Sequence, residues 1–122
     1  MRLRQGEGRR GSRHERGYDS RWAAFSAIYL KAHPFCVECG RQGRDRLADL
    51  VDHKHPVRDG GPWFDKGNLW AMCRPHHDRW KRRLEAYARA NGAIGQVRVW
   101  CDHPEQRPER LRGDNDGSAG AS

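Results

Sequence analysis

The feature that most constrains this chain is a pair of short ligand clusters, Cys36-x-x-Cys39 and Cys73-x-x-His76, set far apart in a sequence poor in apolar residues. A two-residue gap lets both side chains of a pair turn toward one point. Two such pairs around an intervening hairpin suit a tetrahedral zinc ion. Of the 122 residues, 35% are hydrophobic and 33% charged. That length allows one domain and that composition denies it a large core, so a staple is expected. No apolar stretch follows the Arg-rich N-terminus, which reads as the absence of an export signal. A reducing, cytoplasmic setting is the resulting expectation, and there paired cysteines bind metal before they form disulfides. Nor does any apolar run approach the roughly 20 residues that span a bilayer, so no membrane partner is expected. Structural zinc on Cys36, Cys39, Cys73 and His76 is therefore the leading assignment, with free thiols or a Cys36–Cys39 redox pair as the alternative. His77, Cys101 and His103 are available as substitute ligands, but the two-residue spacing favours His76, and Cys101 and His103 read as incidental.

Residues 1–18 are rich in Arg, Gly and Ser and read as a flexible basic arm. Residues 104–122, ending in Gly117-Ser118-Ala119-Gly120-Ala121-Ser122, read as a disordered tail. The folded domain is expected over 19–103. A helix capped by Asp19 or Ser20 should run to Ala32, with Trp22, Phe25, Ile28 and Tyr29 at helical spacing and Pro34 ending it. A tight knuckle follows over 36–40, then a strand over 47–53. The Arg58-Asp59-Gly60-Gly61-Pro62 loop carries the strongest turn signal of the chain. A second strand is predicted over 68–73, and Pro75 sits where the first turn of a helix accepts it. That helix should reach about Ala90 and stop at Asn91-Gly92. Trp70 and Trp80 are expected between hairpin and helix, with Trp63 and Phe64 anchoring the long loop.

A second constellation comprises Asp52, His53, Asn68 and His77. Asp52 and His53 end a strand and so point to opposite faces. His77 lies in the first turn of the following helix, and a hairpin folded on that helix brings Asp52, His53 and His77 together. A carboxylate and an imidazole with open positions for water suit Mg²⁺, Mn²⁺ or a similar ion. A neighbouring imidazole free of the ion can take a proton from water. The formal net charge of +8 suits a polyanion, with phosphate backbones the obvious candidate.

Here the chain resembles a known family. Pro34-Phe35-Cys36-Val37-Glu38-Cys39-Gly40, Leu50-Val51-Asp52-His53-Lys54-His55-Pro56-Val57, Gly60-Gly61 and Asn68-Leu69-Trp70-Ala71-Met72-Cys73-Arg74-Pro75-His76-His77 are similar to the HNH endonucleases, or ββα-metal nucleases, and especially to their small phage and prophage members. The similarity covers about half the chain and keeps the chemical residues in order. It implies an α+β, ββα-metal fold: a two-stranded hairpin plus helix around a divalent ion, with a zinc knuckle and an extra N-terminal helix. It implies metal-dependent hydrolysis of DNA phosphodiester bonds, by nicking or double-strand cleavage. In that reading His53 is the general base, Asn68 orients it, and Asp52 with His77 holds one catalytic ion such as Mg, Mn or Ni. Arg79, Lys81, Arg82 and Arg83 would contact the DNA backbone, and phage packaging proteins would be partners. Two departures stand out. The fourth zinc position is His76 where many relatives have cysteine, and the basic cluster after the last histidine is displaced by about one residue. His55 reads as a surface histidine. The competing reading is a non-catalytic zinc-stapled nucleic-acid-binding module, which needs the charge and the zinc pairs but not Asp52 and His53.

Overall fold

The computed structural model describes residues 11–112. The parts of the basic arm and of the terminal tail expected at 1–10 and 113–122 lie outside the described residues. The architecture is a small α+β unit. Its order is α1 (Gly11–Ala32), α2 (Val37–Arg41), β1 (Leu50–His53), β2 (Leu69–Met72), a π-helical turn (His76–Lys81) continuing into α3 (Arg82–Ala90), and α4 (Val97–Asp102). No helix among the described residues is long and apolar enough to cross a membrane.

Helix α1 begins before the expected cap and runs straight through Asp19 and Ser20. Arg and Glu are good helix formers and no proline interrupts them, so propagation needs no cap at that point. Trp22, Phe25 and Tyr29 form the face that packs inward, with rings against His53, Trp63 and Phe64, while the Tyr29 hydroxyl donates to the Leu69 carbonyl at 3.2 Å. Ile28, expected on that face, is 69% exposed. It lies one position off the i, i+3, i+7 stripe that the three aromatic rings occupy.

The hairpin is antiparallel, with Leu50 opposite Met72, Val51 opposite Ala71, Asp52 opposite Trp70 and His53 opposite Leu69. β2 is buried along its whole length and β1 only at Asp52. Both strands are shorter than predicted, and Leu47 makes only an isolated bridge to Phe35. The connection over 54–68 is folded back by turns. Gly60 has φ 96°, a left-handed conformation that glycine adopts freely. At Gly61 a Cβ would lie 1.9 Å from the His55 carbonyl oxygen, so no side chain fits.

The core gathers Trp70 and Met72 from β2, Trp80 and Leu84 from the helix, and Val97, Cys101 and Leu111 from the C-terminal segment. Trp70 and Trp80 meet at 6.0 Å between ring centroids, as expected of a hairpin–helix interface. Residues 104–112 differ from the expected tail, because Arg107 and Leu111 are buried. Arg107 stacks over Trp80, pairs with buried Glu38 at 2.5 Å, and donates to the carbonyls of Trp100, Cys101 and Arg112. The Trp80 indole donates to the Leu111 carbonyl at 2.9 Å. A polar, proline-containing strap is thus held by one arginine that stacks one face on Trp80 and finds acceptors around its edge. Segment composition conceals this because the partners come from distant parts of the chain.

Candidate metal centre and adjoining pocket

The four residues of the two short clusters converge. Cys36, Cys39, Cys73 and His76 are all buried, and their ligand atoms lie within 4.8 Å of one another. Cys36 stands at the N-terminus of α2, where its sulfur accepts from the Cys39 amide. Cys73 directly follows β2, and His76 is the first residue of the π-helical turn. The Cys39 and Cys73 sulfurs are 3.7 Å apart, and His76 Nδ1 lies 3.7, 3.4 and 3.3 Å from the sulfurs of Cys36, Cys39 and Cys73. Zinc bonds of about 2.3 Å to sulfur and 2.0 Å to nitrogen give tetrahedral edges of about 3.8 and 3.5 Å. The donor set therefore fits a structural zinc ion. His77 and His103 lie outside this cluster, and Cys101 is buried in the core instead. All four cysteines are free of disulfides.

The electrostatics of the cluster favour a cation. Burial pushes the Cys36 thiol up, but hydrogen bonds from His76 and from the Cys39 and Cys73 amides outweigh it and bring it down to about 6. Cys39 is then raised by burial and by the Cys36 charge, and Cys73 is pushed up to about 12 by burial with the same charge contributing. A divalent ion bound among the three sulfurs would favour their thiolate forms.

The second constellation also assembles. Asp52, His53 and His77 line a cleft of about 440 Å³ with Arg58, Lys81, Arg82, Glu85 and Arg89 among the remaining walls. Asp52 is 7% exposed and its two oxygens have different partners. Oδ2 accepts from the Trp70 indole at 2.8 Å and from Lys81 Nζ at 2.8 Å, while Oδ1 faces His77 Nε2 at 3.4 Å. The cross-strand pairing of Asp52 with Trp70 accounts for the indole bond. Burial raises the Asp52 carboxyl, but the Lys81 charge and the bonds from His77, Lys81 and Trp70 more than offset it and hold it below the carboxylate range.

His77 Nδ1 lies 2.8 Å from Asp78 Oδ1. A carboxylate can only accept, so Nδ1 donates to Asp78 and, in the charged ring, Nε2 donates to Asp52 Oδ1; once that proton leaves, the Nε2 lone pair faces the same oxygen. Two lone-pair donors then face each other across 3.4 Å, a gap that a proton or a metal ion fills. His77 is accordingly raised, first by its contact with Asp52 and then by Asp78. His53 Nε2 lies 3.0 Å from the Trp63 carbonyl, and that bond places its proton on Nε2 and leaves Nδ1 as the basic nitrogen. Burial lowers His53 below its ordinary value, so the ring is neutral at pH 7.

Asn68 is fully buried and does not line the cleft. Its carbonyl accepts from the His55 amide at 2.9 Å, and its amide donates to the His55 and Pro62 carbonyls at 3.1 and 3.2 Å. It ties the two ends of the loop that presents the Trp63 carbonyl, so it acts on His53 through that loop. His55, expected at the surface, is half-buried and braces the same loop through the Asp59 carbonyl at 2.9 Å.

The basic cluster divides. Arg79, Arg82 and Arg83 are exposed, and Arg82 alone of these lines the cleft. Lys81, expected as a backbone contact, is 1% exposed. Its ammonium donates to Asp52, to Glu85 Oε2 at 2.6 Å and to the His53 carbonyl at 2.9 Å, so all three hydrogens are spent on protein acceptors. Burial disfavours that charge, but Asp52, Cys101 and Glu85 outweigh it and raise Lys81 above its ordinary value. Sequence reading missed the roles of Asp78, Trp70, Trp63 and Glu85. Only Asp78, adjoining His77, and the Lys81–Glu85 spacing of four residues along a helix left a signal.

No family model, curated protein or solved structure matches the chain.

Proposed function

We propose that this chain is a small metal-dependent DNA endonuclease with a ββα-metal site built on a zinc-stapled hairpin. The observation that carries the proposal is the pair Asp52 Oδ1 and His77 Nε2, facing each other in a cleft beside a neutral His53 whose other nitrogen is pinned. The order and spacing of the same residues in the sequence support it, as does the +8 charge. A hard carboxylate oxygen and a single imidazole, with the remaining positions open to water and phosphate, fit a Mg²⁺- or Mn²⁺-type ion. When bound, such an ion supplies the positive charge that offsets the phosphoryl and leaving oxygens of a phosphodiester.

The chain's own residues supply the rest. His53 Nδ1 takes a proton from water, and the Trp63 carbonyl keeps the ring in the tautomer that leaves Nδ1 free. The aromatic rings of Trp22 and Trp63 hold that imidazole at centroid distances of 4.5 and 5.2 Å. Asp78 and Trp70 orient His77 and Asp52, and Asn68 keeps the loop in place. Arg58 and Arg82, exposed on the walls of the cleft, meet the phosphates on either side. The π-helical turn bears on the one-residue displacement of the basic cluster, since an i→i+5 turn absorbs one extra residue within an otherwise α-helical segment.

The test is relaxation of a supercoiled plasmid by the zinc-loaded chain in Mg²⁺, Mn²⁺ or Ni²⁺, or in chelator, beside His53→Ala. Metal-dependent conversion to open-circle or linear DNA by the native chain alone is the expected result. Tight, salt-sensitive binding without conversion under any ion would replace the proposal with the zinc-stapled binding module.

A further inference from the structure

The proposed reaction leaves the buried ammonium of the cleft without a part. Lys81 is buried, it carries a full positive charge, and it bridges two carboxylates, Asp52 and Glu85. Glu85 lines the same cleft and its side chain is 16% exposed, so it is not a remote anchor. Together with the Trp70 indole, Lys81 saturates Asp52 Oδ2 and leaves Oδ1 as the open oxygen of that carboxylate.

We propose that Lys81 is a positioning residue that acts as a resident cation: by standing between Asp52 and Glu85 it confines Asp52 to Oδ1 and limits the cleft to one divalent ion. The inference rests on the reading of Asp52 and His77 as ion ligands. Carboxylates bridged by metal ions about 3.5–4 Å apart are the basis of two-ion phosphodiester hydrolysis. Here an ammonium holds the bridging place, with a single charge and no exchangeable water. A divalent ion in place of Lys81 would compete for Asp52 Oδ2 and add a charge for which the proposed chemistry has no use. A purely structural lysine makes a different forecast, because its removal would only weaken the fold and the ion site.

The experiment is a Mn²⁺ titration of the zinc-loaded full chain, read as free Mn²⁺ by electron paramagnetic resonance, with thermal melting alongside. Three chains are compared: native, Lys81→Met, and Lys81→Met with Glu85→Gln. Lys81→Met is expected to bind one Mn²⁺ more than the native chain, and Glu85→Gln is expected to remove the gain. Should Lys81→Met fold poorly without metal, Mn²⁺ should raise its melting temperature by more than it raises the native chain's. A Lys81→Met chain that binds no more Mn²⁺ than native, or that Mn²⁺ does not restore, overturns the inference. A native chain that binds no Mn²⁺ overturns the ion-centre reading itself, and the inference that rests on it falls with it.

Discussion

The Cys/His cluster and the Asp52–His77 cleft, the ion site proposed above, differ in completeness. The first presents four donors, all buried and all within reach of one point. The second presents two donors at 3.4 Å in an open cleft, with a basic nitrogen of His53 alongside. Closed coordination spheres hold structure together, and open ones leave room for water and substrate. The two are also ordered. The cluster joins α2 to the turn that follows β2 and so closes the hairpin, whereas the cleft is made from that hairpin and the helix it is tied to. The cleft should therefore depend on the cluster, and the cluster should not depend on the cleft.

The largest effect tests that dependence. Stripping zinc, or Cys73→Ser, should abolish cooperative melting and with it the cleft. Structural zinc supplies an apparent stabilisation of about 10–16 kcal/mol in small zinc domains, as much as the entire stability of most proteins. Circular dichroism and metal analysis on the same samples would check this. A cooperative melt in the zinc-free chain would break the ordering of the two regions.

The converse is His53→Ala. Removing a general base typically costs about 10²–10⁴-fold in rate. Plasmid cleavage should fall by that factor while zinc content stays at one per chain and the hairpin remains folded. Loss of zinc together with cleavage would mean that the two regions are not separable.

The difference between the regions also explains what could be read in advance. Cys36, Cys39, Cys73 and His76 form two local pairs, so spacing alone brought them together. Asp52, His53 and His77 were legible through strand alternation and the helix start. Which nitrogen of His53 is basic was not, because the Trp63 carbonyl that decides it sits in a long loop. Lys81 was misread because a lysine beside arginines on a helix looks solvated, and its burial follows from the π-helical turn and from Asp52 across the hairpin. Ile28 failed for the opposite reason, an apolar residue near the right spacing but off the packed stripe. The strap at 104–112 was illegible because its one anchoring arginine is stabilised by Glu38, a knuckle residue.

That strap supplies the next effect in size. Arg107→Met leaves Glu38 buried with only Arg41, itself partly exposed, to pair with. Breaking a buried ion pair costs roughly 3–5 kcal/mol, and the surviving Arg41 places the expected loss at the lower end. Urea denaturation would measure it, and proteolysis after Trp100 should quicken. An unchanged midpoint would mean that the strap contributes nothing to the knuckle.

Asn68→Ala should cost less, about 2 kcal/mol, for three neutral hydrogen bonds whose partners lie near solvent-facing loop ends. It should lower cleavage while leaving Mn²⁺ affinity intact, since Asn68 touches neither Asp52 nor His77. Loss of Mn²⁺ binding in this variant would place Asn68 in the ion site rather than behind the loop.

The smallest effect concerns the rim of the cleft. Asp59 takes Arg89 Nη2 at 2.7 Å and Nε at 3.1 Å, clamping the loop over 57–61 to α3. Hydrogen bonds from Arg89, chiefly, hold the Asp59 carboxyl below the usual aspartate range. A depressed carboxyl contributes stability that is fully present above its unfolded value, near 3.9, and is lost only as pH falls through the lower folded value. Between pH 7 and 5 the clamp should therefore not change, even where protons begin to compete with zinc for the thiolates. The Gly60 and Gly61 amides, bonded to the carbonyls of Val57 and Pro56, are local reporters of it. Corrected for intrinsic rate, their hydrogen exchange should be flat across that interval in the native chain and uniformly faster in Asp59→Asn, with little shift in melting temperature. Protection that falls in step with zinc loss would instead tie the rim of the open site directly to the closed one.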